Sequence, residues 1–398
     1  MTTAFCGGPV FIGDGRISDK ATVIVEGERI ARVASGDAPL PRGARRVDLA
    51  GGMLLPGLID CHVHFCLDGG PDPVGSAQRA GLPLMTLKAA QFARQTLLAG
   101  VTAVRDMGGS QYVDLAIRDA VRDGLIPGPR ILASGRLVCM TGGTGWTFGG
   151  READGPEEVR KAVREQIKAG ADLVKIMATG GVITPGVEPG SPQYTEAELR
   201  AGVEEAHKAG RRVASHAQGT QGVLNALRAG VDSIEHGIFL DDETIALMAE
   251  RGVALVPTLA PVHNIERQGL EAGLPEWMVA KTHRVKGPHL DSLRRARQAG
   301  LKIALGTDAG CPFNRHGANL TELRLLVESG FSPAEALRAA TLTAAETLGR
   351  QGELGSVEAG KLADLVVVEG DPLADVCLLE QPERLRLIMQ GGRIIDRD

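Results

Sequence analysis

The sequence predicts an α/β fold: a (β/α)8 TIM-like barrel with a small β-sandwich domain built from both chain ends. Three observations predict it. Helix-like segments repeatedly end in Gly and run straight into aliphatic or β-branched stretches. These units occupy the middle of the chain over roughly the ~250 residues that an eight-stranded barrel takes. Both ends read instead as β-meander, with short apolar runs and turn residues but no helical period.

Taken in order, the runs 9–12, 21–25 and 29–33 are separated by Gly, Asp and Glu turns and read as three strands. A first barrel strand is expected at 54–64. Helix stops at Gly100, Gly170, Gly210, Gly230, Gly252 and Gly300 each lead into a further strand, in VTAV, ADLVKI, RRVASH, VDSIEH, VALVPT and LKIALG. A strand at 130–136 completes the set of eight, which ends at 302–307. Near-continuous apolar strands alternating with amphipathic helices mean a parallel sheet, because parallel strands need helical crossovers and are covered on both faces. After a last helix at 333–348, the runs 362–368, 386–389 and 393–395 are again strands, with a Gly391-Gly392 turn. Neither end alone has enough strands to bury a face. Residues 1–57 and 355–398 are therefore expected to form one composite β-sandwich domain, and residues 58–354 the barrel.

Composition narrows the function. The 398 residues are 43% hydrophobic and carry 44 Lys+Arg against 49 Asp+Glu, a net charge of −5. No basic cluster exceeds the pairs Arg45-Arg46, Arg211-Arg212 and Arg294-Arg295, so no footprint for nucleic acid is present. No apolar stretch approaches the ~20 residues of a membrane span. Six cysteines without a CxxC pair or dense framework, and a start without a basic leader or apolar core, point to a cytoplasmic protein. The expected partners are a small-molecule substrate and further copies of the chain, as a homo-oligomer.

The chemistry follows from offsets. Five to eight positions after each helix-stopping Gly, where the strands should end, stand Asp106, Lys175, His216, His236, Thr258 and Asp308. In a barrel these ends share the catalytic rim. The first strand adds His62 and His64, which at i and i+2 share a face and can grip one ion. With His216, His236 and Asp308 at matching strand ends, a metal explains the cluster better than four unrelated histidines. The other histidines, His207, His263, His283 and His289, read as surface or core residues. Lys175 lies on an apolar strand where a free ammonium is costly. A salt bridge to Asp106 or Asp308 would neutralise it, as would addition of CO2 to give a carbamate able to bridge two ions.

These motifs carry a resemblance. The stretch 56–64 (PGLIDCHVH), the strand lysine, Ser215-His216-Ala217, Ile234-Glu235-His236-Gly237 and Gly306-Thr307-Asp308-Ala309-Gly310 together resemble the metal-dependent amidohydrolase superfamily. The runs 175–181, 240–244 and 256–259 resemble the branch of prolidase-like dipeptidases, metallo-carboxypeptidases and imidazolonepropionase-related proteins. The resemblance implies two divalent ions, usually zinc. His62, His64 and Asp308 would hold one and His216 and His236 the other, bridged by carboxylated Lys175 and a hydroxide, with Asp308 as the catalytic proton carrier. Two features depart from the branch. Thr144 stands in the third barrel loop where peptidase members often carry a His, and no Tyr follows His216, which argues against proline selectivity.

The expected function is hydrolysis of an amide or peptide-like bond in a small molecule, an N-acyl amino acid or dipeptide with a free carboxylate. The expected substrate contacts are Arg105, Arg136, Thr144, Arg315 and His316, the arginines offering a bidentate clamp. The alternatives are a cyclic amide, lactone, carbamate or phosphoester on the same site, or a non-catalytic scaffold.

Overall fold

A computed structural model describes residues 2–397. The chain opens with β1 (Thr2–Phe11), β2 (Ile17–Glu26), β3 (Arg29–Ser35), β4 (Arg45–Asp48) and β5 (Gly52–Pro56). The barrel then runs through β6 (Leu58–Val63), α1 (Pro73–Leu98), β7 (Val101–Asp106), α2 (Val113–Arg122), β8 (Arg130–Ala133), β9 (Val138–Cys139), β10 (Arg151–Glu152), α3 (Gly155–Ala169) and β11 (Leu173–Met177). It continues with α4 (Glu196–Lys208), β12 (Arg212–Ala217), α5 (Thr220–Ala229), β13 (Ser233–His236), α6 (Asp242–Arg251), β14 (Ala254–Val256), α7 (Leu259–Gln268), α8 (Glu276–Gln298) and α9 (Thr321–Glu328). After α10 (Pro333–Ala339) and α11 (Leu342–Thr347) come β15 (Leu365–Glu369), β16 (Leu385–Gln390) and β17 (Arg393–Ile394). The α/β barrel with a sheet made from both ends is the fold expected from the sequence. Among the described residues, no helix is long and apolar enough to cross a membrane.

The two chain ends share one eight-stranded sheet, ordered β17-β16-β15-β5-β1-β2-β3 with β4 on β1. The join is the antiparallel pair β5 and β15, Gly52 to Pro56 against Glu369 to Leu365. Its own core takes Val23 and Ile30 from one side and Leu365, Val367 and Met389 from the other, so the sheet closes over its apolar face. The helix stops behave as expected: Gly170, Gly230 and Gly252 cap α3, α5 and α6 in the left-handed conformation.

Two expected strands differ. The run 54–64 is two strands, β5 in the terminal sheet and β6 in the barrel, divided at Gly57. A Cβ on Gly57 would sit 2.0 Å from the Thr102 hydroxyl oxygen, so only glycine lets the chain pass from one sheet to the other here. The run 302–307 forms no continuous ladder. It closes the barrel by single bonds, Ala304 N–H to Leu255 O (2.9 Å), Cys61 N–H to Leu305 O (2.9 Å) and Asp308 N–H to His62 O (2.7 Å). Asp60 ties this seam together. It is fully buried and accepts hydrogen bonds from the His62 N–H (3.0 Å), the Thr307 N–H (3.0 Å) and hydroxyl (2.6 Å), and Asn319 Nδ2 (2.7 Å).

Candidate metal centre

His62 and His64 extend from the end of β6, and Asp308 follows the closing segment. Their ligand atoms lie within 4.8 Å of one another. Asp308 Oδ1 stands 3.4 Å from His62 Nε2 and 3.2 Å from His64 Nε2. The partners of the far ring nitrogens decide what this means. His62 Nδ1 is 2.8 Å from Glu235 Oε2 and His64 Nδ1 is 2.7 Å from the Gly108 carbonyl oxygen. Both partners only accept, so each Nδ1 carries the proton and each Nε2 turns a lone pair toward Asp308. With both rings neutral, three acceptors face one point with no proton between them, and Asp308 Oδ1 makes no aligned hydrogen bond. A cation is what this donor set fits.

His216 and His236 stand beside the trio, with ring centroids 4.6 Å apart and His236 5.2 Å from His62. His216 Nε2 donates to the Gly180 carbonyl (3.0 Å), which leaves its Nδ1 lone pair free, and His236 Nδ1 pairs with Thr258 Oγ1 (2.7 Å). Burial lowers His62 to about 4 and His216 to about 3, with the Lys175 charge adding to the effect, whereas at His64 burial is outweighed by Asp308, which raises that ring above its ordinary value. Burial alone would raise the Asp308 carboxyl, but His62 and His64 hold it well below the usual carboxylate range. His236, Thr258 and Asp308 have φ of 73°, 52° and 59°. Such left-handed backbone in non-glycine residues costs on the order of 1–3 kcal/mol each and clusters where side chains must be aimed.

Lys175, on β11, is 1% exposed. Burial lowers its ammonium to about 8, while Glu235 and Asp308 act against that through space. Neither Asp106 nor Asp308 forms the ion pair that the sequence left open. Asp106 is spent on the backbone, accepting from Phe65 and Gly108 N–H groups, both at 3.0 Å.

Beneath the histidines lies a buried network absent from the sequence reading. Glu235 accepts from His62, from Arg105 Nη2 (2.7 Å) and from the Ser233 hydroxyl (2.7 Å). Arg105 also donates to the Cys61 carbonyl (2.7 Å) and Ser233 Oγ (3.0 Å). With Arg105 and His62 beside it, Glu235 is held down at about 2 although burial alone would raise it. A signal was present: in β13, Ser233 and Glu235 alternate with Ile234, placing two polar groups on one face of a buried strand.

The centre opens into a cavity walled by Leu137, Phe148, Met177, Val182, Ile238 and Ile265, among others. Of the expected substrate contacts, Thr144 lines it, 3% exposed and with its hydroxyl unpartnered. The others lie elsewhere. Arg105 sits under the metal centre, 3% exposed and held by Glu235. Arg136 spends Nε and Nη2 on the Gly149 and Gly150 carbonyls, both 2.7 Å, and so shapes the loop that carries Phe148. Arg315 is exposed on the surface. His316 bonds the Leu67 carbonyl (3.0 Å) and stacks on Phe92 with centroids 4.9 Å apart. Lys175 is thus the one Lys or Arg on the cavity wall among the described residues. His289, expected as a surface or core residue, is a core residue, 2% exposed, that also lines the cavity.

The sequence pattern of the amidohydrolase family matches residues 53–395. The chain belongs to the amidohydrolase family. Ochratoxinase of Aspergillus niger is 33% identical, over 98% of this chain and 86% of that protein. A Xaa-Pro dipeptidase solved with methionine in its active site is 34% identical, with a TM-score of 0.89 over the whole of both chains. A prolidase complexed with N-methylphosphonate-L-proline is 35% identical, with a TM-score of 0.91, again over the whole of both chains. This amidohydrolase is a metal-dependent enzyme acting on C–N bonds, with a metal site at His62, His64 and Asp308.

Proposed function

We propose that this amidohydrolase cleaves an amide or peptide-like bond in a small molecule, an N-acyl amino acid or dipeptide with a free carboxylate and an apolar body. The observation that carries the reading is the convergence of His62 Nε2, His64 Nε2 and Asp308 Oδ1 at the edge of a cavity whose wall away from the candidate ligands is mostly apolar. Two structural relatives hold ligands that support the carboxylate, methionine in one and a proline derivative in the other.

We infer two divalent ions, zinc by the chemistry of the imidazole and carboxylate donors. His62, His64 and Asp308 would hold one, and His216 and His236 the other. Lys175, in carboxylated form, would join both: the buried amine has no ion pair, and its lowered pKa leaves more of it neutral to combine with CO2. Divalent ions so bound supply Lewis-acid polarisation of the scissile carbonyl and acidify water. The chain's own residues do the rest. Asp308, unprotonated at rest, accepts the proton of the attacking water at its carboxylate and returns it to the leaving nitrogen. Glu235 and the Gly108 carbonyl fix the tautomers of His62 and His64. The apolar wall orients the substrate body and excludes water. Thr144 and Gln218 are the polar groups left for the substrate's carbonyl and carboxylate, since Thr144 Oγ1 and Gln218 Oε1 lack partners.

A paired comparison of N-acyl amino acids with their C-terminal amides tests the carboxylate. Acids are expected to be favoured at least ~10-fold in kcat/KM, about 1.4 kcal/mol. Among the described residues no arginine lines the wall, which favours one alternative, a neutral apolar amide or carbamate. Equal rates for acids and amides would establish that alternative. The same enzyme is expected to be a cytoplasmic homo-oligomer, which compartment fractionation and sedimentation would test.

A further inference from the structure

The cavity at the metal centre has a neighbour. A second cavity lies between α7, α8 and α9, reaching from Leu259 and His263 across Lys286 and Leu290 to Leu325. Val262 and His289 line both cavities. Among the described residues they are the only ones that do.

The fold explains why these two side chains stand there. Thr258, in the left-handed conformation next to His236, turns the chain sharply into α7. Buried Glu322 on α9 accepts the first amides of that helix, Leu259 N–H at 2.7 Å and Ala260 N–H at 2.9 Å. The beginning of α7 is thereby pinned against α9, and Val262 follows in its first turn. On α8, Lys281, Val285 and His289 recur every four residues on one buried face. Lys281 anchors that face by donating to the Thr184 (2.9 Å) and Val187 carbonyls of the loop that carries Val182 and Ile183 over the main cavity. His289 is 2% exposed, its ring packed against the backbone of Pro257 and His236. Val262 is only half-buried, so it can be altered without opening the core.

We propose that Val262 and His289 are specificity-determining residues: together they form a partition that sets how long an apolar substrate group the metal cavity accepts, with the second cavity as the space beyond it. The proposal rests on the amide-hydrolase reading and adds to it a limit on substrate length at a stated wall. A group that ends short of the partition gains contact with each added methylene, at about fourfold per methylene. A group that would pass it meets Val262 and His289 and loses that gain. Shortening Val262 joins the two spaces, and enlarging it thickens the wall.

The test is a length profile. kcat/KM is measured for N-acetyl, N-butanoyl, N-hexanoyl and N-octanoyl derivatives of one amino acid, and for N-acetyl amino acids with side chains of increasing length, since either end of the substrate can face the wall. Wild type is compared with Val262→Ala, Val262→Phe and His289→Ala. In the series that faces the wall, Val262→Ala and His289→Ala are expected to raise the long-to-short ratio by about tenfold or more, the worth of two methylenes. Val262→Phe is expected to lower it. Ratios unchanged in both series for both Val262 variants overturn the proposal, whatever happens to absolute rates. Loss of fold in His289→Ala leaves the Val262 pair to decide. If wild type hydrolyses none of these amides, the hydrolase reading fails separately. The partition is then read by calorimetric binding of acetate to octanoate, where an unmoved length limit in Val262→Ala and Val262→Phe overturns it.

Discussion

Replacing Glu235 with Gln is the sharpest perturbation of the metal centre, because it keeps the shape and removes one charge. Glu235 sits at about 2 against an ordinary 4.5, which corresponds to roughly 3 kcal/mol of preference for the charged form in the folded protein. The Gln side chain leaves the Arg105 guanidinium buried without a counter-charge, a change of about 3–5 kcal/mol when a buried pair is broken from one side. Glu235→Gln should therefore destabilise metal-free protein by about 3 kcal/mol in urea at pH 7. A carboxyl with a depressed folded pKa stabilises above its unfolded value and loses that contribution as pH falls through the folded one. The gap to wild type should thus stay constant above pH 5 and narrow between about pH 4.5 and 2. Gln can also turn its N–H2 toward His62 Nδ1, moving the ring proton to Nε2, where it would point at Asp308. Metal affinity, measured by chelator competition, should fall ~10–100-fold, as it does when a ligand loses its outer partner. A variant that binds metal like wild type would refute the tautomer argument. A stability gap independent of pH would refute the charge argument.

Asp308→Asn should lower kcat by ~10²-fold or more, the usual worth of a positioned acid and base, and near-normal turnover would remove Asp308 from proton transfer. Lys175→Ala should cut bound metal well below the approximately two ions per chain expected for protein loaded with zinc and bicarbonate. Unchanged content by mass spectrometry of the native protein would end the bridging role. Thr258→Val keeps the branched shape at a strained position but removes the partner of His236 Nδ1, at about 1 kcal/mol; a roughly fivefold loss of metal affinity is expected, and none would show that the ring is aimed by packing alone. Metal-free protein should lose stability in acid. His62 at about 4 and His216 at about 3 lie below their ordinary 6.5 because of burial, so the unfolded chain binds protons first and the urea midpoint should fall from pH 6.5 down to 3.

The α/β order was legible because local rules and global fold agree: a left-handed Gly ends a helix, and the apolar run after it has nowhere to go but a buried parallel strand. The trio His62, His64 and Asp308 was legible for the same reason, since strand ends share one rim whatever their distance in sequence. Direction was not. Arg105 and Asp106 are neighbours at the end of β7, yet one guanidinium turns under the ligands and the other side chain serves the backbone, a choice made by Glu235 and by the amides of Phe65 and Gly108. The place of His289 at the cavity is not legible, because a helix position says which face is buried, not that the buried face borders a cavity. The run 54–64 looked like one strand because both halves are apolar, and only the closeness of Thr102 to Gly57 shows where it changes sheets.

That change of sheets at Gly57 bears on how the chain comes to its native form. The barrel's first strand is the direct continuation of β5, whose antiparallel neighbour β15 begins at Leu365, 309 positions after Pro56. During synthesis, β1 to β5 emerge first and must wait for nearly the entire barrel before that edge is filled. An apolar edge with open backbone groups invites pairing with other chains. The last ladder to form is then a clasp that draws both ends together, and its rate should depend on barrel closure rather than on local hairpins. Refolding at rising protein concentration should show aggregation competing with this late step, and a synthetic peptide of residues 362–371 added early should suppress it.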